Sequence, residues 1–407
     1  MWFFLKKVWQ EIFQKQVYLD YAATTPMDAR VFSVMEKVYR TMYGNKGGMY
    51  ELGVQVKSMI NKNRAEVAKI LGAQKDQIIF TRGGTESNNM AILGVIRLFQ
   101  KNNPEIIPHV ITSSTEHDSV LELLQHLSSR KEIDLTIVPC DENGLVQVSE
   151  IKESLNERTI LVSIMYVNNE IGTIQPIKEI AKLLRWYKKH HKQVGDIYPV
   201  MHTDAIQAVN YLDCNVQRLG IDLLTLSGSK IYGPKSSGIL YVKNKALLEP
   251  IMFGGGQEFG LRSGTEDIAG IAGFTAALHV AHYLQEKESR RLKNLQDILT
   301  TELLQDSRVQ LNGDRENRIA NNINISIQGF ASEWLVIQLS AKGFAVSAKS
   351  ACSSENDEES HVIRALRTAQ GKQSENTQEG SLRISLGRKT TQKDVQNFLK
   401  VFWQIIK

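Results

Sequence analysis

Three short segments of this 407-residue chain carry side chains whose types and spacing can do chemistry together. The first is Ile78-Ile79-Phe80-Thr81, followed by Arg82-Gly83-Gly84-Thr85-Glu86-Ser87 and then a helical stretch. Glycines let a backbone come close to an anion, and the first N–H groups of the ensuing helix, with the Thr85 and Ser87 hydroxyls beside them, can hold a phosphate. The same residues also fit a tight strand-to-helix turn capped by Thr85. Their glycine spacing matches neither a Walker loop nor a dinucleotide fingerprint. In the second segment Asp204 closes the apolar run Val200-Met201-His202-Thr203, with Gln207 three residues on. A carboxylate there is costly unless paired, so it serves either an Arg or Lys of the protein or the cation of a ligand. In the third, Lys230 follows Leu223-Leu224-Thr225-Leu226 through Ser227-Gly228-Ser229. Such an amine is either solvated or able to form a Schiff base. Together the turn, the acid and the amine are the parts that pyridoxal phosphate needs: a phosphate cradle, a partner for the ring nitrogen and an amine that condenses with the aldehyde.

These residues need a scaffold that brings strand ends together. From Asp76 to about Leu240 short apolar runs alternate with amphipathic stretches, the pattern of a parallel sheet covered by helices. Strands are expected at Gln77–Thr81, His109–Ser113, Thr136–Pro139, Ile160–Met165, Pro199–Thr203, Leu223–Leu226 and Gly238–Val242, with helices between them such as Ser87–Gln100 and Ile177–Lys188. A sheet of this kind binds its ligand beyond the carboxyl ends of its strands, where Thr81, Asp204 and Lys230 fall. The apolar stretch Ile268 to Leu284, interrupted by His279 and His282, reads as a buried helix. Beyond Glu286 a charged helix (287–304), a strand (Asn322–Ile327) and a second helix (Glu333–Ala341) suggest a smaller domain. The acid-rich stretch between Ser353 and Ser381 is expected to include a flexible loop at one or both ends. Trp2, Leu5, Trp9 and Ile12 recur at helical spacing, so the first residues read as a short amphipathic helix, not a secretory signal.

Composition removes other classes. With 42 % hydrophobic and 23 % charged residues the chain is neither disordered nor membrane-spanning. A net charge of +5, spread along the sequence, does not argue for DNA as a ligand. The basic run Lys182 to Lys192 reads as a solvated helix face. Three cysteines, Cys140, Cys214 and Cys352, make no disulfide framework or metal finger and point to a reducing, cytoplasmic setting.

Further segments join the first three. Val17-Tyr18-Leu19-Asp20-Tyr21-Ala22-Ala23-Thr24-Thr25-Pro26, Thr85-Glu86-Ser87-Asn88-Asn89, Thr115-Glu116-His117, Val167-Asn168-Asn169-Glu170-Ile171-Gly172, Asp204-Ala205-Ile206-Gln207, Lys230-Ile231-Tyr232-Gly233-Pro234-Lys235, Gly254-Gly255-Gly256-Gln257-Glu258, Arg262-Ser263-Gly264-Thr265, Ser350-Ala351-Cys352 and Arg383-Ile384-Ser385-Leu386-Gly387-Arg388 resemble, in order, the motifs of NifS-like cysteine desulfurases. The resemblance runs from about Val17 nearly to the C-terminus. It implies an α/β, fold-type I pyridoxal-phosphate enzyme: a homodimer whose large domain (28–286) carries a mainly parallel seven-stranded sheet. A smaller α+β domain is built from residues 1–27 with 287–407. In this likeness Lys230 would hold the cofactor covalently and Asp204 would keep its ring nitrogen protonated. His117 would stack on the ring and move protons, and Gln207 would bind the phenolic oxygen. Gly84, Thr85 and Ser227 would bind the phosphate, joined by Thr265 from the second subunit. Asn169 and Arg383 would hold the substrate carboxylate, the planar guanidinium matching it with two prongs.

The resemblance also gives Cys352 its part: a thiolate there would take the sulfur of L-cysteine, leaving L-alanine and a persulfide to be passed to an acceptor protein for iron–sulfur assembly or for tRNA or cofactor thiolation. Lys349 favours that thiolate, while Glu355 and Asp357 oppose it. Some positions depart from the pattern. Ser229 stands where the family usually has His before the lysine; a Ser can donate one hydrogen bond to the cofactor's phosphate but brings no positive charge. Arg82 replaces a small residue beside the turn and is expected to supply that charge to the phosphate. The Gly44 to Gly53 stretch and Lys349 also differ, which leaves a weakened homologue acting as a binding module among the alternatives. A selenocysteine lyase and a related pyridoxal-phosphate aminotransferase or lyase are the others.

Overall fold

The computed structural model describes residues 16–191, 195–348, 360–372 and 379–407. The Trp2 to Ile12 helix expected above, Lys192, and Lys349 through Glu359, including Cys352, lie outside the described residues.

Every strand expected of the main sheet is present. In chain order the strands are β1 (Val17–Tyr18), β2 (Ile78–Thr81), β3 (His109–Ser113), β4 (Asp134–Val138), β5 (Thr159–Ser163), β6 (Val200–Asp204), β7 (Leu223–Ser227), β8 (Gly238–Val242), β9 (Val309–Leu311), β10 (Asn322–Gln328), β11 (Phe344–Ala345) and β12 (Glu379–Ser385). Seven of them form the main sheet in the order β2-β8-β7-β6-β5-β3-β4. Pairing is parallel from β7 through β4, and β8 runs antiparallel to both β2 and β7. The central strands are buried on both faces, which is why they read as unbroken apolar runs.

Alternate residues of each strand feed two cores. Ile78, Phe80, Val162, Met201, Leu224 and Leu226 pack with helix residues Val56, Ile60 and Ile180. Ile79, Val110, Leu161, Val200, Leu223 and Leu240 pack on the other face with Ile92, Val95 and Phe99 of the Gly84–Asn102 helix. A third cluster joins Ile323, Ile325, Leu382 and Ile384 of the β12-β10-β9 sheet to Leu295, Leu299, Phe398 and Phe402. Leu19 from the chain's beginning belongs to this third cluster, and β1 pairs with β11.

Two details differ from the sequence reading. The Ile268–Leu284 stretch and the charged helix after it are one continuous helix, Ile268–Leu303, because no Gly or Pro interrupts residues 274–303. Within the polar stretch after Ser353 lies a helix, His361–Ala369, whose Val362, Ile363 and Leu366 are buried. Its three apolar residues at helical spacing were masked by the acids and glutamines on either side. The basic run reads as expected in part: Arg185 donates to Gly220 O at 2.9 Å, yet Lys188 is half-sequestered beside Asp222, 3.7 Å away.

Candidate active site

The carboxyl ends of β6 and β7 sit side by side, Asp204 pairing in register with Thr225. Asp204 ends β6, and Lys230 follows β7 in a single 3-10 turn. The two thereby line one cleft of about 520 Å³ together with Ala22, Ala23, His117, Met165, Val167, Asn169, Ile206, Gln207 and Arg383. Six of the residues singled out from sequence are gathered here from segments as distant as residues 117 and 383.

Asp204 is almost fully buried. Burial raises its pKa above the ordinary carboxylate value; the Asn88 amide, His117, the Ile206 N–H and Lys230 oppose that rise. Its Oδ2 accepts from Asn88 Nδ2 at 2.8 Å and its Oδ1 from Ile206 N at 3.0 Å. Its partners are therefore neutral donors and two nearby basic groups, with no arginine clamp closing it off. Such a carboxylate remains available to a cation placed in the cleft.

Lys230 Nζ donates to the carbonyl of Ala23, in the loop after β1, and the Lys230 carbonyl accepts from Asn210 Nδ2 at 2.6 Å. The same loop is tied down by Thr25, whose N and Oγ1 both donate to Ser229 O at 2.9 Å. Gln207 Nε2 donates to Ala22 O at 3.0 Å. His117 is the N-cap of the Asp118–Ser129 helix. Its Nδ1 accepts from Ser119 N at 3.1 Å and faces Ser119 Oγ at 2.9 Å, so the ring proton is assigned to Nε2.

Arg383 comes from β12 of the smaller sheet, where only 1 % of it is exposed. Its Nη2 pairs with Asp20 Oδ1 at 2.9 Å, and its Nη1 donates to Asn169 O at 3.1 Å. Nε is buried without a hydrogen-bond partner. Asn169 thus lends its backbone to orient the guanidinium while its side chain lines the cleft.

The turn after β2 has the form of an anion cradle. Gly83 has φ +136°, a conformation that favours glycine. The 19-residue helix Gly84–Asn102 starts without a side-chain cap, so the N–H groups of its first turn receive no capping side chain. A methyl group on Gly84 would lie 2.3 Å from Ile206 Cδ1, so the end of that side chain would have to move aside to admit it. Ser227 and Ser229 face each other with their hydroxyl oxygens 3.0 Å apart. A cradle of backbone donors and hydroxyls, a buried carboxylate beside neutral donors and an amine between them fit pyridoxal phosphate.

Three expected residues stand apart. Arg82 does not turn to the cradle: its Nη1 pairs with Asp267 Oδ2 at 2.9 Å, and its side chain lines a separate cleft with Glu258, Arg262 and Glu266. Asp267 caps the Ile268–Leu303 helix and, at the surface, offers the guanidinium a full counter-charge. Thr265 is exposed and does not line the Lys230 cleft of its own protomer. Thr85 is also exposed, with its carbonyl accepting from Asn89 Nδ2 at 2.9 Å.

Comparison with known proteins decides the lineage. The family model described as aminotransferase class-V matches residues 17–398. The chain belongs to the class-V aminotransferase family. A "Cysteine desulfurase IscS" from Dictyoglomus turgidum is 41 % identical over 394 residues, spanning 97 % of this chain and 95 % of that protein. Among solved structures, a "NIFS-LIKE PROTEIN" superposes with a TM-score of 0.85 at 31 % identity, covering 96 % of this chain and 99 % of that one. A structure titled "SspA in complex with cysteine" superposes with a TM-score of 0.75 at 30 % identity, covering 91 % and 98 %.

Sequence reading passed over several members of this class-V site. Asp20 lay inside a quoted motif, but nothing local says that it will meet Arg383 across 363 positions. Asn88 lay inside another quoted motif and Ser119 outside any, and nothing local says that they connect Asp204 with His117. Glu116, next to His117, is fully buried with Oε2 unpartnered. The signal that was available is its place between Thr115 and His117 at the end of β3. Cys140 and Cys214 are buried, away from the cleft, and burial raises both thiol pKa values, as suits bystanders.

Proposed function

We propose that the protein is a pyridoxal-phosphate-dependent cysteine desulfurase, which converts L-cysteine to L-alanine and leaves the sulfur as a persulfide on Cys352. The observation that carries this reading is the single cleft in which Lys230, Asp204, His117, Gln207, Asn169 and Arg383 converge. Lys230 would anchor the cofactor, Asp204 would pair with its ring nitrogen, and Gly84, Thr85, Ser227 and Ser229 would hold its phosphate. Bound there, the cofactor supplies an electron sink for bond breaking next to the substrate's α-carbon.

The chain's own residues do the rest. Arg383, steadied by Asp20 and the Asn169 carbonyl, presents its guanidinium to the substrate carboxylate, assisted by the Asn169 side chain. His117, with its proton on Nε2 and its Nδ1 occupied by Ser119, holds a proton to deliver or exchange at the cleft. The thiolate of Cys352 attacks the substrate sulfur, and the carbon–sulfur bond breaks with its electron pair left on carbon. One proton taken up there completes alanine, and the sulfur stays on the enzyme as Cys352–S–SH. Atoms balance without an external oxidant or reductant.

The same reading makes the enzyme a homodimer. Phe32, Tyr43, Met49, Phe253 and Tyr283 are all exposed in the protomer, large apolar side chains that a second subunit would cover. Thr265, exposed and outside its own cleft, suits a residue that serves the second subunit's phosphate. In the same reading 28–286 would be the large domain and 1–27 with 287–407 the small one, a division supported by the separate core around β10 and β12. A sulfur-acceptor protein completes the pathway, in the cytoplasm. No helix among the described residues is long and apolar enough to cross a membrane.

The test is direct. Purified protein should carry a visible absorption band that Lys230→Ala abolishes, and L-cysteine should yield one alanine per sulfur released. Cys352→Ser should keep the band and lose alanine formation. A preparation that stays colourless when pyridoxal phosphate is added ends the reading, and exchange with a keto acid in place of alanine and persulfide would move it to an aminotransferase.

A further inference from the structure

Asn88 is fully buried and touches neither the expected phosphate nor the substrate group, yet its amide makes two hydrogen bonds inside the site. Nδ2 donates one hydrogen to Asp204 Oδ2 and the other to Ser119 Oγ, both at 2.8 Å. The amide cannot be turned round without placing its carbonyl oxygen against the Asp204 carboxylate, acceptor on acceptor, so Asp204 fixes which end is which. Ser119 Oγ, accepting from Asn88, must direct its single hydrogen elsewhere, and His117 Nδ1 lies 2.9 Å away. The backbone N–H of Ser119 aims at the same nitrogen at 3.1 Å. The order of donors therefore runs one way, from Asn88 to Asp204 on one side and from Asn88 through Ser119 to His117 on the other.

We propose that Asn88 is a positioning residue whose one amide group both donates to the Asp204 carboxylate and, by orienting the Ser119 hydroxyl toward His117 Nδ1, reinforces the tautomer with its proton on Nε2. The inference rests on the reading of the cleft as a pyridoxal-phosphate site and deepens it. The ring partner and the proton carrier of the site are not set independently, because one nitrogen donates to Asp204 and to the Ser119 hydroxyl, which faces His117 Nδ1 alongside the Ser119 backbone N–H. Asn88 can do this because it stands four residues, about one helical turn, after Gly84 in the helix whose first turn forms the phosphate cradle. One rigid element then serves the cradle, the acid and the imidazole.

The test uses the full chain before and after loading with pyridoxal phosphate. In the unloaded protein the Asp204 carboxyl is followed by carbon NMR and the His117 ring nitrogens by nitrogen NMR. Asn88→Leu keeps the size and removes the donor; Asn88→Ala removes both. In each, Asp204 should titrate at higher pH than in wild type, and the His117 ring-nitrogen shifts should move as the Ser119 hydroxyl loses its orientation. On loading, the cofactor should bind about tenfold or more weakly, the size of loss expected for a hydrogen bond to a charged group. Ser119→Ala separates the two arms: Asp204 should titrate as in wild type, while His117 loses the hydroxyl donor and its ring-nitrogen shifts move. Asn88 variants that fold to the wild-type unfolding midpoint, yet leave Asp204 titration and the His117 ring-nitrogen shifts unchanged, overturn the proposal. So does a Ser119→Ala protein in which the Asp204 titration moves as far as in Asn88→Ala. If wild type itself takes up no pyridoxal phosphate, the functional reading fails, and the unloaded-state NMR still decides the role of Asn88.

Discussion

Replacing Glu116 with glutamine tests how the site stores a buried acid. Glu116 is completely buried between β3 and His117; Oε1 accepts from Ser113 Oγ at 2.7 Å and from Met165 N at 2.9 Å. Oε2 has no hydrogen-bond partner, and burial drives the pKa from 4.5 up to about 8, against the pull of those two donors. The folded protein therefore holds a proton on Glu116 that the unfolded chain gives up above its ordinary pKa. With the folded value raised, the associated stability is full below about pH 4.5 and declines as pH rises towards 8. The slope for one proton is about 1.4 kcal/mol per pH unit, so the whole decline amounts to roughly 4–5 kcal/mol for this fully buried group. Glu116→Gln keeps the Oε1 acceptor and removes the charging step. Urea unfolding of both proteins from pH 5 to pH 8.5 should show the variant gaining on wild type as pH rises, with a difference in unfolding free energy that grows by about 3 kcal/mol or more. Wild-type and variant curves that stay parallel over that range would falsify the account of Glu116 as a neutral acid at neutral pH.

Other perturbations follow from the same geometry. His202, buried between Ser163 and Thr225, has its pKa pushed down by burial to about 3. Its neutral form supports the fold above pH 6.5, and that support is lost as pH falls towards 3, so His202→Gln should flatten the acid limb of a thermal-stability profile. Gly83→Ala forces an alanine to φ +136°, at a cost of about 1–3 kcal/mol, and dialysis should show markedly faster loss of cofactor than from wild type. Asp20→Asn removes the charge that steadies Arg383 and should raise KM for L-cysteine with a smaller effect on kcat, measured as alanine release. Arg64→Ala strands Glu258, which accepts from both guanidinium ends at 2.6 and 2.7 Å in a buried pair. Denaturant unfolding should register a loss of about 3–5 kcal/mol.

What sequence could reveal was set by how locally each feature is encoded. The sheet was legible because its strands are buried on both faces, so each is a short apolar run with its own turn signals. Asp204 and Lys230 were legible because they follow such runs directly. The order β2-β8-β7-β6-β5-β3-β4 was not, since nothing within β8 says that it will pair antiparallel with both β2 and β7. Arg82 misled for a related reason: a basic residue beside an anion turn looks committed to the anion until Asp267, 185 positions away, folds next to it. The partners of the site residues share this non-local origin. Asp20 reaches Arg383, Asn88 reaches Asp204, and Thr25 reaches Ser229 only after the two ends of the chain and the central sheet come together. A catalytic side chain needs its chemistry at one position, and sequence records that chemistry. The groups that hold it in the right charge state and tautomer need only a donor or acceptor at the right point in space, and many residue types at many positions can provide one. The site's orienting network is therefore where a structure adds most, and Asn88 is its clearest member.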